Sequence, residues 1–456
     1  MTRRIPPGPD EEDKDMARRR ERYGEFYEGD FGLSELSGRV HASKGPPPDL
    51  PTVLGLAADV AGLGEGEGAV ELGTDLGLLL DSAVPDEALR TVWRAATGGR
   101  FDPAGHGADF RGWLRRLAEL YPARARERTP RHWSLLPPPV IEEADLREDV
   151  VAEIRASAAE GGAFVAPPFA GLPGALESIA READADLALR LLLRVLKVRR
   201  IAVGKAQYDR LMALDERLAY PGPLVYDDLA VRWPPVDPTR RDAEGDFGLT
   251  ALASRFAGPW HAHTPREILA LAVADDETGQ TPGSAAAVLL QDALRLLESP
   301  LPTAVIVTLW AAASERGYDI ERAGADGGEW LRTIAAACRD HLAEVAPDHR
   351  PGTLPVRTEH SGAVQDLLRE LTPELARRTV SPHARPLPGA VAADAVARVV
   401  TEVDPELGLR LLVRLLAVLA VPLTEERYAR FRTLGERFGY GAWHVSEALE
   451  PLVRSD

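Results

Sequence analysis

Residues 184–198 read DADLALRLLLRVLKV, and residues 404–418 read DPELGLRLLVRLLAV. In the first run Leu189, Leu192, Leu193 and Leu196 fall at i, i+3, i+4 and i+7, one stripe on a helix. In the second, Leu409, Leu412, Val413 and Leu416 hold the same offsets. Matched helices this far apart are not a solenoid repeat, whose period is roughly 20–50 residues. They imply duplication of a unit of roughly 220 residues, with the stripe as a packing face in each copy.

Working outward, EGDFGLSEL (28–36) returns as EGDFGLTAL (244–252). Trp93 matches Trp310, Phe101 matches Tyr318 and Trp113 matches Trp330, all at one offset, so no insertion falls between them. Large aromatics at fixed helical spacing read as core. Helical periodicity covers 51–62, 68–82, 86–96, 109–121, 145–159 and 173–183, with Pro85 and its counterpart Pro302 at helix starts. A last helix carries Tyr208, Leu211 and Glu216-Arg217, matched by Tyr428, Phe431 and Glu436-Arg437. Few runs alternate as strands do, so the expected fold class is all-α.

Proline clusters divide each copy. WSLLPPP (133–139) has its counterpart around Pro351–Pro355, and Trp233-Pro234-Pro235 cannot be helical throughout. The expected layout is a charged, proline-rich disordered tail (1–27) with a short helix at 11–23, then helical module A1 (28–135), module B1 (140–230), a linker (231–243), module A2 (244–350) and module B2 (356–456). Helix bundles joined by proline-rich linkers result.

The net charge of −17 is spread about evenly over both halves. It opposes nucleic-acid binding and anionic membrane surfaces, and it suits either plain solubility or electrostatic capture of a basic partner. A single cysteine, Cys338, allows no internal disulfide and lies in an alanine-rich helical stretch, as a small buried thiol would. The first twenty residues lack an apolar signal core. Arg410 and Arg414 interrupt the greasiest run, and 301–313 is too short to span a bilayer. The expected location is cytoplasmic.

Catalytic motifs do not emerge. There is no G-x-S-x-G, S-x-x-K, HExxH or CxxC pattern, and the glycine-rich run GLGEGEG (62–68) carries glutamates that repel phosphate. The pair His261 and His263 has the H-x-H spacing of a metal site but lacks further ligands, and His341 and His349 are read as surface residues. Acidic clusters at 142–149 and at Asp275-Asp276-Glu277 read as helix starts or solvated loops, the latter able to present carboxylates to a basic partner. The chain is therefore expected to be no enzyme, with no cofactor and no metal.

The second A copy resembles the CdiI_2-type immunity proteins of contact-dependent growth inhibition systems. The matching residues are Phe256 and Trp260 for an early aromatic motif, Leu296-Leu297 for paired leucines, Tyr318-Asp319 for an aromatic-Asp step, and Trp330-Leu331 for a closing helix. Ala257-Gly258-Pro259 replaces the polar centre of the first motif. Copy A1 keeps Leu79-Leu80, Phe101-Asp102 and Trp113-Leu114 but has Val40 and Lys44 for the early aromatics. The B modules are similar to MafI-type immunity proteins over LGLRLLVRLLAVLAVPLTEERYARFRTLGERFGYG (407–441). The two resemblances together imply a tandem polyimmunity protein. Its partner would be a cognate secreted toxin domain, often a basic nuclease, neutralised by binding alone. Candidate partner-binding residues are Phe256, Trp260, His261, His263, Asp275, Asp276 and Glu277. The alternative is a non-catalytic α-helical scaffold or regulatory protein that binds some other partner.

Overall fold

The computed structural model describes residues 29–122, 143–160, 164, 169–218, 220, 223–243, 245–352, 354–380 and 386–454. The predicted tail (1–27) and the WSLLPPP run lie outside these residues. The chain divides into two compact units, Met1–Trp233 and Pro234–Asp456. The division falls inside the predicted linker.

In unit 1 the helices are α1 (Gly32–Ala42), α2 (Leu50–Ala61), α3 (Glu67–Asp81), α4 (Asp86–Ala96), α5 (Phe110–Leu120), α6 (Glu143–Glu160), α7 (Leu172–Glu182), α8 (Ala185–Val198) and α9 (Lys205–Leu218). Unit 2 has α10 (Gly248–Ala257), α11 (Pro265–Val273), α12 (Ser284–Leu297), α13 (Thr303–Ala313), α14 (Gly327–Val345), α15 (Ser361–Leu375), α16 (Gly389–Glu402), α17 (Pro405–Val418), α18 (Glu425–Phe438) and α19 (Ala442–Leu449). The strands among the described residues are two-residue pairs, β1 (Val203–Gly204) parallel to β2 (Val231–Arg232) and β3 (Thr379–Val380) antiparallel to β4 (Leu387–Pro388). The fold is all-α.

Each unit is built around its leucine-rich helix. Asp184 starts α8 by accepting the Leu187 amide at 2.7 Å, and Asp404 starts α17 by accepting those of Glu406 and Leu407. Both helices end on a left-handed residue, Arg200 or Ala420, after which the chain folds back to the helix carbonyls of Leu196 and Leu416. The predicted single stripe understates their burial. Leu187 and Leu191 on α8, and Leu407 and Leu411 on α17, are buried as well. The reason is position: α8 packs against α1, α4, α6 and α7, and α17 against α10, α13, α15, α16 and α19.

This placement merges the predicted modules. One apolar cluster runs from Phe31 to Leu229 in unit 1 and another from Leu249 to Leu449 in unit 2, each drawing on its A and its B segments. The A and B segments of each unit therefore share one core, with α8 packed against α1 and α4 of the A segment as well as α6 and α7 of the B segment.

The repeated DFG segment is the latch between halves. Asp30 accepts the amide of Phe31 and the hydroxyl of Ser34, and Asp246 accepts those of Phe247 and Thr250. Asp75 of α3 accepts the Leu33 amide at 2.8 Å and both guanidinium nitrogens of Arg190 at 2.7 and 2.9 Å. Unit 2 repeats this with Asp292, Leu249 and Arg410 at 2.8, 2.6 and 2.8 Å. Glycine is required between them: Gly32 and Gly248 have φ of +62° and +64°, and a Cβ on either would lie 2.2 Å from the aspartate oxygen.

Candidate partner-binding surface

The residues singled out in the sequence have different fates. Phe256, expected at a partner surface, is wholly buried. Its ring stacks on Tyr318 at 5.1 Å and meets Trp260, Trp310 and Trp330 edge-on. The motif packs because α10 delivers the Phe256 ring inward while the following turn folds Trp260 over it. The Trp260 indole N–H donates to the Gly317 carbonyl at 3.1 Å, and Trp260 is half-buried. The Trp310 indole donates to the Tyr318 carbonyl at 3.0 Å, just as Trp93 donates to Phe101 in unit 1 at 3.1 Å. His261 and His263 are exposed on the turn after α10, with His261 against the Trp260 ring.

The acidic loop between α11 and α12 is largely committed to the fold. Asp276 accepts the amides of Gly283 and Ala285 at 2.6 and 2.8 Å, which satisfies the start of α12. Asp275 pairs with Arg255 of α10, and Glu277 accepts from the Gln280 side chain at 2.8 Å. A small cavity of about 70 Å³ lies there, lined by Asp246, Phe247, Arg255, Asp275 and Glu277 among others. Arg240 and Arg255 line it together with Asp246, Asp275 and Glu277, so it offers no field of one sign.

Interior charges are likewise paired. Arg410 binds Glu406 at 2.7 Å besides Asp292, Arg241 reaches Glu406 at 3.3 Å, and Arg295 meets Asp404 at 2.8 Å. Burial alone would push the Glu406 carboxyl up, but the Arg410 and Arg241 charges overcome it and hold it down at about 2. Burial pushes the Asp184 carboxyl up to about 6 and the Cys338 thiol up to about 12, so Cys338 is an inert buried thiol. Among the described residues no group of three or more His, Cys, Asp or Glu side chains is placed to hold a metal ion. No helix among them is long and apolar enough to cross a membrane.

The two units part company at the aromatic-Asp step. In unit 1 Arg90 binds Asp102 at 2.7 Å, with Arg94 at 3.7 Å. The matched positions of α13 are Val307 and Ala311, and there a groove of about 180 Å³ runs past Trp310, Tyr318, Asp319 and Leu387. Beside it Glu315 and Arg316 adopt left-handed φ of 52° and 60°, where unit 1 has Gly98 and Gly99.

Sequence reading missed the most exposed large apolar side chain among the described residues, Trp443, which is 62% exposed. It stands on α19, which packs inward through His444, Val445 and Leu449. Gly441 fixes the start of that helix: its amide donates to the Arg241 carbonyl at 3.2 Å, and a Cβ there would lie 1.9 Å from the Ala243 carbonyl. Glu447 and Glu450 follow Trp443 at i+4 and i+7, and with Pro451 the three line an open groove of about 390 Å³. Among the described residues neither glutamate has an ion-pair partner. The signal lay in the run WHVSEALEP (443–451), where Trp443 takes the position matched by Pro223 in unit 1.

Next to it the His444 ring is buried between Phe247 and Tyr440, with Nδ1 3.1 Å from the Gly245 carbonyl. Nδ1 therefore carries the proton, and Nε2 is buried without a hydrogen bond. Burial depresses the basicity of this ring, and the Asp246 carboxylate at 3.9 Å only partly offsets that. No family model matches the chain, and no curated protein or solved structure matches it.

Proposed function

We propose that this chain is a non-catalytic binding protein of the immunity type. It captures a secreted toxin domain of basic surface, such as a nuclease, in the cytoplasm and blocks it by occupying its surface. The observation that carries this reading is the exposed Trp443 flanked by the unpaired carboxylates of Glu447 and Glu450. An exposed indole adds nothing to the core, and Trp is enriched among the anchors of protein interfaces. A net charge of −17 draws a basic partner in from a distance and raises the association rate.

Co-expression with the product of the adjacent gene tests this. Growth rescue by the intact chain is expected, together with a binary complex whose association rate falls steeply between low and high salt. Trp443→Ala is expected to weaken that complex by about 30-fold or more, the size of an interface anchor. Absence of both rescue and complex would defeat the reading.

A further inference from the structure

The fold itself displays how it holds an arginine. In unit 1 the Arg190 guanidinium lies 4.4 Å from the centroid of the Phe31 ring and is gripped edge-on by the Asp75 carboxylate. In unit 2 the Arg410 guanidinium lies 4.6 Å over Phe247, with Asp292 and Glu406 at its edges. Each is a cation resting on an aromatic face while carboxylates accept its N–H groups, the arrangement that suits a planar guanidinium better than an ammonium. On α19 and the 3-10 turn that continues it, an aromatic face and two carboxylates recur, and among the described residues no arginine or lysine pairs with them.

We propose that Trp443, Glu447 and Glu450 form a receptor for one arginine side chain of a partner protein. The guanidinium stacks on the exposed indole and donates to the two carboxylates, which lie on the same helical stripe. The groove is open to solvent, so an arginine projecting from a convex surface reaches it without any movement of α19. A lysine gains the charge attraction but neither the flat stacking nor the forked hydrogen bonds. A neutral aromatic gains the stacking and leaves the two carboxylates desolvated. The inference rests on reading unit 2 as a binding surface, not on the partner being a toxin. It also concerns this unit alone, since unit 1 has Pro223 at the matched position.

The test needs no natural partner. N-acetyl-arginine amide, N-acetyl-lysine amide and N-acetyl-citrulline amide are titrated into the full chain. The readout is the indole N–H signal of Trp443 in ¹H–¹⁵N spectra, assigned from Trp443→Phe. The arginine amide is expected to shift that signal to saturation in the millimolar range. The citrulline amide, equal in shape but uncharged, should bind at least 10-fold more weakly, with the lysine amide in between. Glu447→Gln combined with Glu450→Gln, both on exposed carboxylates, should abolish the preference for arginine over citrulline. Equal shifts for arginine and citrulline, or a preference unchanged in the double variant, would overturn the proposal. So would a Trp443 signal that moves with protein concentration alone while sedimentation reports a dimer, because the occupant would then be a second copy. Failure of growth rescue alongside a positive titration would remove the toxin reading and leave the arginine receptor standing.

Discussion

Gly248 shows how much one position can carry. Its φ of +64° and the 2.2 Å approach that a Cβ would make to Asp292 leave no room for a side chain. Gly248→Ala is expected to cost on the order of 1–3 kcal/mol from backbone strain, with some further loss as the latch opens, read as a lower midpoint in thermal denaturation. Arg410→Met strands Asp292 without its cation, leaves Glu406 only Arg241, and should cost about 3–5 kcal/mol. The double change Arg410→Met with Asp292→Leu should cost less than Arg410→Met alone, since a buried charge then disappears with its partner. His444 gives a pH signature. Its depressed basicity means that the unfolded chain takes up the proton first, so stability is full above about pH 6.5 and falls as the pH drops below it. His444→Leu, which installs the residue found at the matched position of unit 1, Leu224, should flatten that slope in urea titrations between pH 7 and 5. These residues were only half legible. The recurrence of DFG was visible, yet Arg410, like Arg414, looked like an interruption of an apolar run, and Arg190 drew no notice. Nothing local marks an arginine as buried when its aspartate lies more than a hundred positions away.

At the scale of elements, periodicity served well for the helices of the first half. The expected 51–62, 68–82 and 86–96 correspond to α2, α3 and α4 with their ends displaced by at most one residue. The departure came at α8 and α17. A search for one stripe assumes one buried face, whereas a helix enclosed by four or five others buries nearly all its circumference. The prolines at 351–355 do not divide unit 2, whose core runs across them, whereas Trp233-Pro234-Pro235 marks the division between units. The acidic loop 274–283 shows the same limit for function. Its charge looked presentable to a partner, but Asp276 is engaged with the amides that open α12. Asp276→Ala should therefore cost about 1 kcal/mol of stability, as loss of a helix-start acceptor does, while leaving affinity for a basic partner within about twofold. Matching denaturation and binding titrations check both halves of that expectation.

For the molecule as a whole, the apolar core of each unit is drawn from that unit's own residues. Arg410→Met is expected to lower the melting of unit 2 alone, splitting the heat-capacity trace into two peaks and leaving the unit 1 peak in place. The latch has a consequence for biogenesis. Both units close by presenting a DFG segment to a buried arginine and aspartate, and the two segments match residue for residue over that motif. During synthesis the arginine of α8 emerges before the second DFG segment, which orders the pairing. A chain diluted from denaturant has no such order, and either segment can seat itself in either socket. Renaturation from urea should therefore show a slow, cross-seated fraction, and Arg190→Met, which leaves both segments to compete for the one remaining socket, should enlarge it, a kinetic toll on likeness within one polypeptide.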